Sequence, residues 1–248
     1  MRLLAIDTAT ERCSVALRVE GRTIERSIEL PRGHAELVLP MVEEVLQEGG
    51  LQLRHLDGLA YGRGPGAFTG VRIAVGVVQG LAFGAELPTA GISNLAAVAQ
   101  QVAGEGDRIL VCMDARMNQV YWSVFVRAPG HALVASSAPE RVDAPGAVGE
   151  GNYTTLAGTG FKAYPQLASR LARPDRVMHD SVLPRAADIA LLAEAEFRAG
   201  RGRPAAEAEP VYVRDQVARL AAHVGAVRRD GLRIEGLFGE HRVRDLAT

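Results

Sequence analysis

The order of apolar and polar residues in the first hundred positions predicts five strands. The continuous apolar run at residues 3–8 is typical of a buried strand. Ile24, Arg26 and Ile28 alternate with polar neighbours, which instead indicates a strand with one face exposed. A turn at Glu20 and Gly21 is expected between two of the strands. The five predicted strands cover residues 3–8, 13–19, 23–30, 56–61 and 88–92.

Helical spacing of apolar residues predicts three helices in the same half of the chain. The first covers residues 35–47, and Pro40 should kink it near its first turns because a proline ring crowds the preceding turn. The second helix covers residues 69–84. The third extends to about residue 102 from Ser93, since serine is a favoured helix cap. The first helix carries Leu37, Met41 and Val45 on one side and Val38, Val42 and Leu46 beside them.

The pattern repeats after a polar, glycine-rich stretch at residues 104–107. Strands are expected at residues 108–113, 119–127, 132–142 and 155–158, and helices at 161–171 and 185–198. Two copies of strand, strand, strand, helix, strand, helix predict a duplicated α/β fold. We therefore expect a first domain at residues 1–104, a second at 105–215 and a C-terminal tail at 216–248.

The second predicted helix has almost no polar side. Between residues 71 and 83 only Arg72 and Gln79 are strongly polar, and the run is expected to be too short to span a bilayer. Gly76, Gly80 and Gly84 recur every fourth residue, although each glycine costs roughly 1 kcal/mol relative to alanine inside a helix. Two explanations remain open. The helix is wholly internal, or its second face meets another helix, such as one from another protein.

Composition narrows the functional classes. Apolar residues make up 48% and charged residues 23% of the 248 positions, which is ordinary for a globular protein. The net charge of −1 argues against a strongly basic surface for nucleic acid. The first apolar run ends at Asp7 and resembles no signal peptide, so a cytoplasmic protein is expected. Cys13 and Cys112 lie in strand-like runs and are expected to be buried thiols.

Polar loops after predicted strands are candidates for nucleotide binding. Asp7 and Thr8 follow the first strand, Asp114 follows the matching strand of the second half, and Gly158 begins a third loop. Such loops resemble those of the actin, Hsp70 and sugar-kinase (ASKHA) fold, which is built from duplicated RNase H-like domains. The alternative is that Asp7 caps a turn and binds nothing. The turn at residues 64–66 could bind an anion, but a tight connection from strand to helix is the preferred interpretation.

Motifs of other chemistries are missing from the sequence. The six histidines do not occur three or four residues apart, the spacing that helical metal sites use. The Gly-x-Ser-x-Gly elbow of serine hydrolases and the Cys-x-x-Cys pair are also missing. We therefore expect neither a metal nor a cofactor.

Four stretches carry a resemblance to a known family. They are residues 1–10, residues 61–72 with the run Gly-Pro-Gly-Ala-Phe-Thr-Gly-Val-Arg, residues 113–122 and residues 209–214. Together they resemble the bacterial TsaB (YeaZ) family from residue 1 to about residue 217. The glycine-rich run is highly specific for that family.

The resemblance implies a role in making threonylcarbamoyladenosine in tRNA. It implies a non-catalytic subunit that forms a heterodimer with a TsaD-like catalytic subunit, works with a TsaE-like ATPase and meets tRNA through the complex. Without the partner, the apolar patch is expected to drive homodimers, because an exposed patch of this kind tends to associate. No membrane is expected. The catalytic relative carries a histidine-rich segment where this chain has Ser93 to Ala97, which contains no histidine. This difference supports the non-catalytic assignment.

The resemblance also assigns the helices at residues 35–47 and 69–84 to a helical bundle shared with the partner. We predict that Gly76→Leu or Gly80→Leu abolishes pairing and leaves a folded chain. Two rival interpretations are an ATP-binding, kinase-like enzyme using Asp7, Thr8, Asp114 and Gly158, and an M22-type metallopeptidase. The predicted interface consists of Leu37, Met41, Val45, Phe68, Thr69, Val71, Arg72, Ile73, Gly76, Val77 and Gly80.

Overall fold

The computed structural model describes residues 1–214, and the predicted tail at 216–248 lies outside the described residues. Its first sheet has the strand order β3-β2-β1-β4-β5. β1 pairs antiparallel with β2 and parallel with β4. The helix α1 (His34–Glu48) lies in the connection from β3 to β4, and such a crossover lets β4 pair parallel with β1. All five strands predicted in this half are confirmed. They are β1 Arg2–Asp7, β2 Arg12–Val19, β3 Arg22–Glu29, β4 Gly58–Gly64 and β5 Thr89–Ser93.

The second sheet repeats this plan, with the order β11-β10-β6-β7-β8 and with β9 also paired to β7. β6 is antiparallel to β7 and parallel to β10, as β1 is to β2 and β4. The duplicated RNase H-like, ASKHA-type fold is therefore confirmed. The strands are β6 Arg108–Asp114, β7 Val120–Val126, β8 Ala135–Ser136, β9 Arg141–Asp143, β10 Thr155–Ala157 and β11 Val177–His179.

In the second sheet, one sequence expectation is wrong and one strand was missed. The expected strand at residues 132–142 is two short strands, β8 and β9, of two and three residues. β11 was not predicted, since it has only three residues and Val177 and His179 are exposed. Strands this short offer no alternation of polar and apolar residues to recognise.

Six helices cover the two sheets in the described part of the chain. The predicted helix at 161–171 is split, because Pro165 begins a new helix after Tyr164. Pro40 lies inside α1, which is one continuous helix. The predicted Ser93 cap is confirmed, since its hydroxyl accepts a hydrogen bond from the Ala96 N–H at 3.2 Å. The helices are α1 His34–Glu48, α2 Phe68–Ala85, α3 Asn94–Val102, α4 Gly160–Ala163, α5 Pro165–Leu171 and α6 Ala186–Arg198.

Helices pack on both faces of each sheet. α1 and α2 pack on one face of the first sheet, around Ile6 and Leu17. α3 and α6 cover its other face, where the sheet presents small residues such as Ala5 and Ala60. α3 also packs on the second sheet through Leu95, so it lies between the two sheets. α4 and α5 cover the outer face of the second sheet.

α6 crosses the boundary that the sequence suggests. It follows the second sheet in the chain, yet it packs on β1, β2, β4 and β5 of the first sheet. The Ala186 N–H donates to the Ser14 hydroxyl at 2.9 Å, and Arg18 pairs with Glu194 at 2.7 Å. The division into domains at residue 104 therefore separates the sheets but not their helices, and it stays a prediction.

Both cysteines are free and buried, as expected. Burial raises the pKa of the Cys13 thiol to about 11. It also raises the pKa of the Cys112 thiol, which is fully enclosed. Neither thiol is therefore ionised near neutral pH, which makes both poor nucleophiles.

Candidate functional site

The two faces of α2 have different surroundings. Five of its residues pack on the first sheet, namely Val71, Ala74, Val75, Val78 and Ala82. The opposite face is exposed and holds the glycine row. A Cβ atom added to Gly76, Gly80 or Gly84 would meet no other atom within 4 Å. The explanation of a wholly internal helix is therefore wrong for the described chain, and the glycine face is open.

The expectation that this helix is too short to span a bilayer is also wrong. α2 has 18 residues, about 27 Å at the helical rise, and its length and composition would suffice to cross a membrane. Only 33% of this stretch is buried in the chain. Its apolar residues therefore fall into two sets. One set packs in the core, and the other lies on the uncovered face.

The predicted interface residues fall into three groups by burial. Val45 and Val71 are 0% and 3% exposed and pack in the core of the first sheet, so their side chains are not available to a partner. Leu37, Met41, Ile73 and Val77 are half-buried, and the last three pack against that core. The exposed group is Phe68, Thr69, Arg72, Gly76 and Gly80.

Two large exposed residues were missed. Phe83 is 78% exposed and Leu39 is 47% exposed. Phe83 follows Gly80 by three residues, a spacing that places both on one helix face. Leu39 is exposed because α1 turns Val38 and Val42 inward. The helical spacing from Gly80 was enough to predict from the sequence that Phe83 lies on the glycine face. Which residues of α1 are exposed could not be predicted in this way, because it depends on how the helix packs on the sheet.

The turn before α2 is built directly on the loop after β1. The Thr8 hydroxyl donates to the Gly70 carbonyl at 2.7 Å, and the Ala67 N–H donates to the Ala9 carbonyl at 2.7 Å. A Cβ atom on Gly66 or Gly70 would overlap the backbone of Ala9 or Thr8. These contacts form the tight connection from strand to helix that the sequence favoured over an anion site.

Asp7 is enclosed in the centre of this arrangement. Its Oδ1 accepts from the Asn94 side-chain amide at 2.6 Å, and the Asn94 Oδ1 accepts from the Gly64 N–H at 2.8 Å. The side chain of Asp7 is fully buried, and its Oδ2 has no hydrogen-bond partner. Burial raises the pKa of Asp7 to about 6. The carboxyl thus links β1, α3 and the turn before α2.

The other candidates for nucleotide binding lie on the second sheet. Asp114 accepts from the Arg116 N–H at 2.8 Å and from the Tyr164 hydroxyl at 3.0 Å. Gly158 has a φ of +105° and abuts the carbonyl of Cys112. The Thr159 hydroxyl accepts from the Asp114 N–H at 3.1 Å, so the structure brings these two loops together. Asp7 and Thr8 are on the first sheet, where their buried side chains leave no open face for a phosphate.

A cluster of Phe68, Arg72 and Tyr212, here called the arginine cluster, lies at the start of the exposed α2 face. The guanidinium carbon of Arg72 is 3.3 Å from the centre of the Phe68 ring and 4.9 Å from that of Tyr212. The two rings are 5.9 Å apart. Tyr212 is held there because the adjoining Val211 N–H donates to the Arg63 carbonyl at 2.8 Å. Sequence reasoning missed Tyr212 as a site residue.

A cleft of about 530 Å³ lies beside this cluster. Arg63 and Glu140 line it and pair with each other through two hydrogen bonds of 2.9 and 3.2 Å. Their charges therefore neutralise each other, and the pair does not indicate a binding site for a charged ligand. Within residues 1–214, no three His, Cys, Asp or Glu side chains are grouped to hold a metal ion.

Comparison with known proteins gives consistent matches. Residues 29–222 match a family described as TsaD, tRNA N6-adenosine threonylcarbamoyltransferase. The chain is 43% identical to the tRNA threonylcarbamoyladenosine biosynthesis protein TsaB of Escherichia coli K12, across 88% of this chain and 96% of that protein. It is 37% identical to the protein of the same name from Haemophilus influenzae, across 88% and 95%.

A solved structure extends this similarity to the fold. YeaZ from Pseudomonas aeruginosa is 39% identical and superposes with a TM-score of 0.76, across 85% of this chain and 99% of that one. A second crystal structure, of a protein with similarity to peptidase YeaZ from Pseudomonas aeruginosa, gives 40% identity and a TM-score of 0.78. It covers 86% of this chain and 99% of that one.

Proposed function

The chain belongs to the TsaB (YeaZ) family, and from this membership we propose that it is the non-catalytic subunit that pairs with a TsaD-like catalytic protein. The relatives named TsaB act in tRNA threonylcarbamoyladenosine biosynthesis, and this chain acts in the same tRNA modification. It works in the cytoplasm. It meets tRNA through the assembled complex, since its own net charge is only −1.

One observation carries the proposed pairing, the open glycine face of α2. Glycines at three successive turns let another helix approach the backbone more closely than any larger side chain allows. Phe68 and Phe83 flank the row and are 52% and 78% exposed. Exposed apolar side chains beside an open backbone face are typical of a protein interface. The TsaD-like partner covers this face with a helix of its own.

The non-catalytic role is supported by the positions of the polar side chains. Asp7, Thr8 and Asn94 are all fully buried. Each is engaged in fixing the turn before α2, through the hydrogen bonds from Asn94 to Asp7 and from Thr8 to the Gly70 carbonyl. Two of the four residues that a kinase-like enzyme would use for a nucleotide, Asp7 and Thr8, thus position the interface helix in this chain.

The proposed mechanism is activation by docking. A subunit can shift its partner toward the active state only by binding that state more tightly than the inactive one. Pairing through α2 stabilises the active TsaD-like protein and helps create the surface used by a TsaE-like ATPase. In the absence of the partner, the same face pairs with a second copy of this chain.

Size-exclusion chromatography with light scattering tests the pairing. The full chain is measured alone and mixed with the TsaD-like protein of its own organism. We expect a homodimer that converts to a one-to-one heterodimer. Gly80→Leu should abolish both species, because its side chain would fill the space that the partner helix needs.

Gly146→Leu is the matched control. Gly146 is also exposed, and an added Cβ would likewise meet no atom within 4 Å, but it lies in a short 3-10 helix after the second sheet's β9. This variant should pair like the unmodified chain. Heterodimer formation by a folded Gly80→Leu protein would disprove the proposed interface.

A further inference from the structure

Arg72 shares the exposed face of α2 with the glycine row. It precedes Gly76 by four residues, as Gly76 precedes Gly80, so the three positions form one stripe along the helix. Arg72 is itself exposed, and Phe68 continues the stripe one turn earlier. A helix packed on the glycines would therefore extend over the guanidinium group of Arg72.

The guanidinium is held in place by two aromatic rings. Its carbon lies 3.3 Å from the centre of the Phe68 ring and 4.9 Å from that of Tyr212. Its Nη1 also donates to the Phe68 carbonyl at 3.3 Å. Stacking on an aromatic face leaves the N–H edge of a guanidinium free to donate and reduces the entropy that it loses on binding.

The charge of Arg72 is not balanced within the described chain. None of the ion pairs among residues 1–214 involves Arg72. The first turn of α2 has no acidic residue, and Ala67 gives it no side-chain cap. The positive end of the helix dipole thus lies near the same cation. This end of the stripe is complementary to a negative charge.

We propose that Arg72 binds a carboxylate side chain on the helix of the TsaD-like partner, and that Tyr212 is a positioning residue for this contact. The inference rests on the proposed function and adds the chemistry of the group that the partner presents. One of the five N–H groups of the guanidinium is used by the Phe68 carbonyl, and the others can bind a carboxylate through two parallel hydrogen bonds. The glycine row sets how closely the partner helix approaches, and the arginine cluster sets its position along α2.

Affinity for the TsaD-like protein of the same organism tests the contact, with the full chain titrated at low and high salt. Arg72→Glu should weaken binding roughly 100-fold, the range for losing one member of a desolvated charge pair. Arg72→Gln should weaken it less and remove most of the salt dependence. Arg22→Glu is the control, since Arg22 is exposed on the edge strand β3. It should bind normally.

Charge reversal in the partner makes the test specific. Each Asp or Glu on the helix surface of the TsaD-like protein is changed to Arg and paired with Arg72→Glu. One such change should restore binding at least tenfold. If none restores it, or if Arg72→Glu binds like Arg22→Glu, the carboxylate contact is overturned. If Arg72→Glu binds like Arg22→Glu but Gly80→Leu still fails to pair, the proposed function remains supported and only the carboxylate contact is wrong.

The role of Tyr212 has its own readout. Tyr212→Ala removes one wall of the arginine cluster, whereas Tyr212→Phe keeps the ring that faces Arg72. We expect Tyr212→Ala to weaken binding about tenfold in the unmodified chain and hardly at all in Arg72→Gln, as expected for two residues that act through one contact. Additive losses in the double variant would overturn the positioning role.

Discussion

At the scale of single residues, Asp7 has a structural role where the sequence suggested a binding role. A carboxylate at the end of the first strand suggested a nucleotide site. The structure instead surrounds it with Asn94 and the turn at Gly64, and a Cβ atom on Gly62 would overlap its Oδ1. A buried carboxyl that has only one hydrogen-bonded oxygen resists ionisation, which explains its raised pKa.

The pH dependence of stability follows from this burial. The pKa of Asp7 rises from an ordinary 3.8 to about 6 on folding, so the folded chain holds the proton more tightly than the unfolded chain. This contribution to stability is fully present below about pH 4 and is lost as the pH rises through about 6. Asp7→Asn removes the charge and keeps an acceptor for Asn94. Relative to the unmodified chain, it should gain on the order of 2 to 3 kcal/mol in free energy of unfolding between about pH 4 and pH 7.

Urea unfolding at the two pH values measures this difference. Asp180→Asn is the control, because Asp180 is exposed in a turn. Its free energy of unfolding should follow that of the unmodified chain. Parallel pH curves for Asp7→Asn and the unmodified chain would show that Asp7 ionises freely in the folded state.

At the scale of elements, the glycines of α2 divide into two kinds. Gly70 belongs to the contact between the start of the helix and the loop after β1, where only a hydrogen fits. Gly76 and Gly80 face open space in the described chain, so nothing within it requires their small size. Glycine lowers helix stability, and the proposed partner explains its presence on an open face.

This division predicts opposite effects for one chemical change. Gly76→Ala should raise the free energy of unfolding by about 0.5–1 kcal/mol, because alanine favours the helix and meets no atom. The same variant should bind the TsaD-like protein more weakly, since the added methyl group separates the two helices. Gly70→Ala should lower the free energy of unfolding by about 1–3 kcal/mol through overlap with the Thr8 carbonyl.

Thermal unfolding of both variants, combined with partner titration, checks the prediction. If Gly76→Ala stabilises the chain and binds with unchanged affinity, the open face is not a close-packed interface.

At the scale of the whole molecule, the first sheet depends on a helix from the second half of the chain. α6 covers the face on which Ala5, Ala16 and Ala60 are completely buried. Without α6 this face would be open to water, at a cost of roughly 25 cal/mol for each Å² of apolar surface. Residues 1–104 therefore contain one sheet but not all of its core.

We expect a fragment of residues 1–104 to show no cooperative unfolding transition. The same fragment joined by a flexible linker to residues 184–213, which include α6, should unfold cooperatively. Circular dichroism during heating distinguishes the two. Cooperative unfolding of the fragment alone would show that the first sheet is an independent domain in spite of its contacts with α6.

Local patterning was enough to predict much of the fold. The strands of the first sheet, the duplication and the Ser93 cap were recognisable because alternation, helical spacing and capping act over a few residues. The short strands β8, β9 and β11 and the break at Pro165 were missed or merged, since two or three residues carry too little pattern. The motif at residues 64–72 also identified the family from the sequence alone.

The sequence by itself determined which helix was unusual, since three glycines at four-residue spacing in an apolar run are visible without coordinates. Only the tertiary structure decided which face of that helix is open, because this depends on how the helix rotates against the sheet. It likewise buried Val45, enclosed Asp7 and brought Tyr212 to Arg72 across 140 positions of chain. Such contacts join residues far apart in sequence, and packing of the whole chain is what selects them.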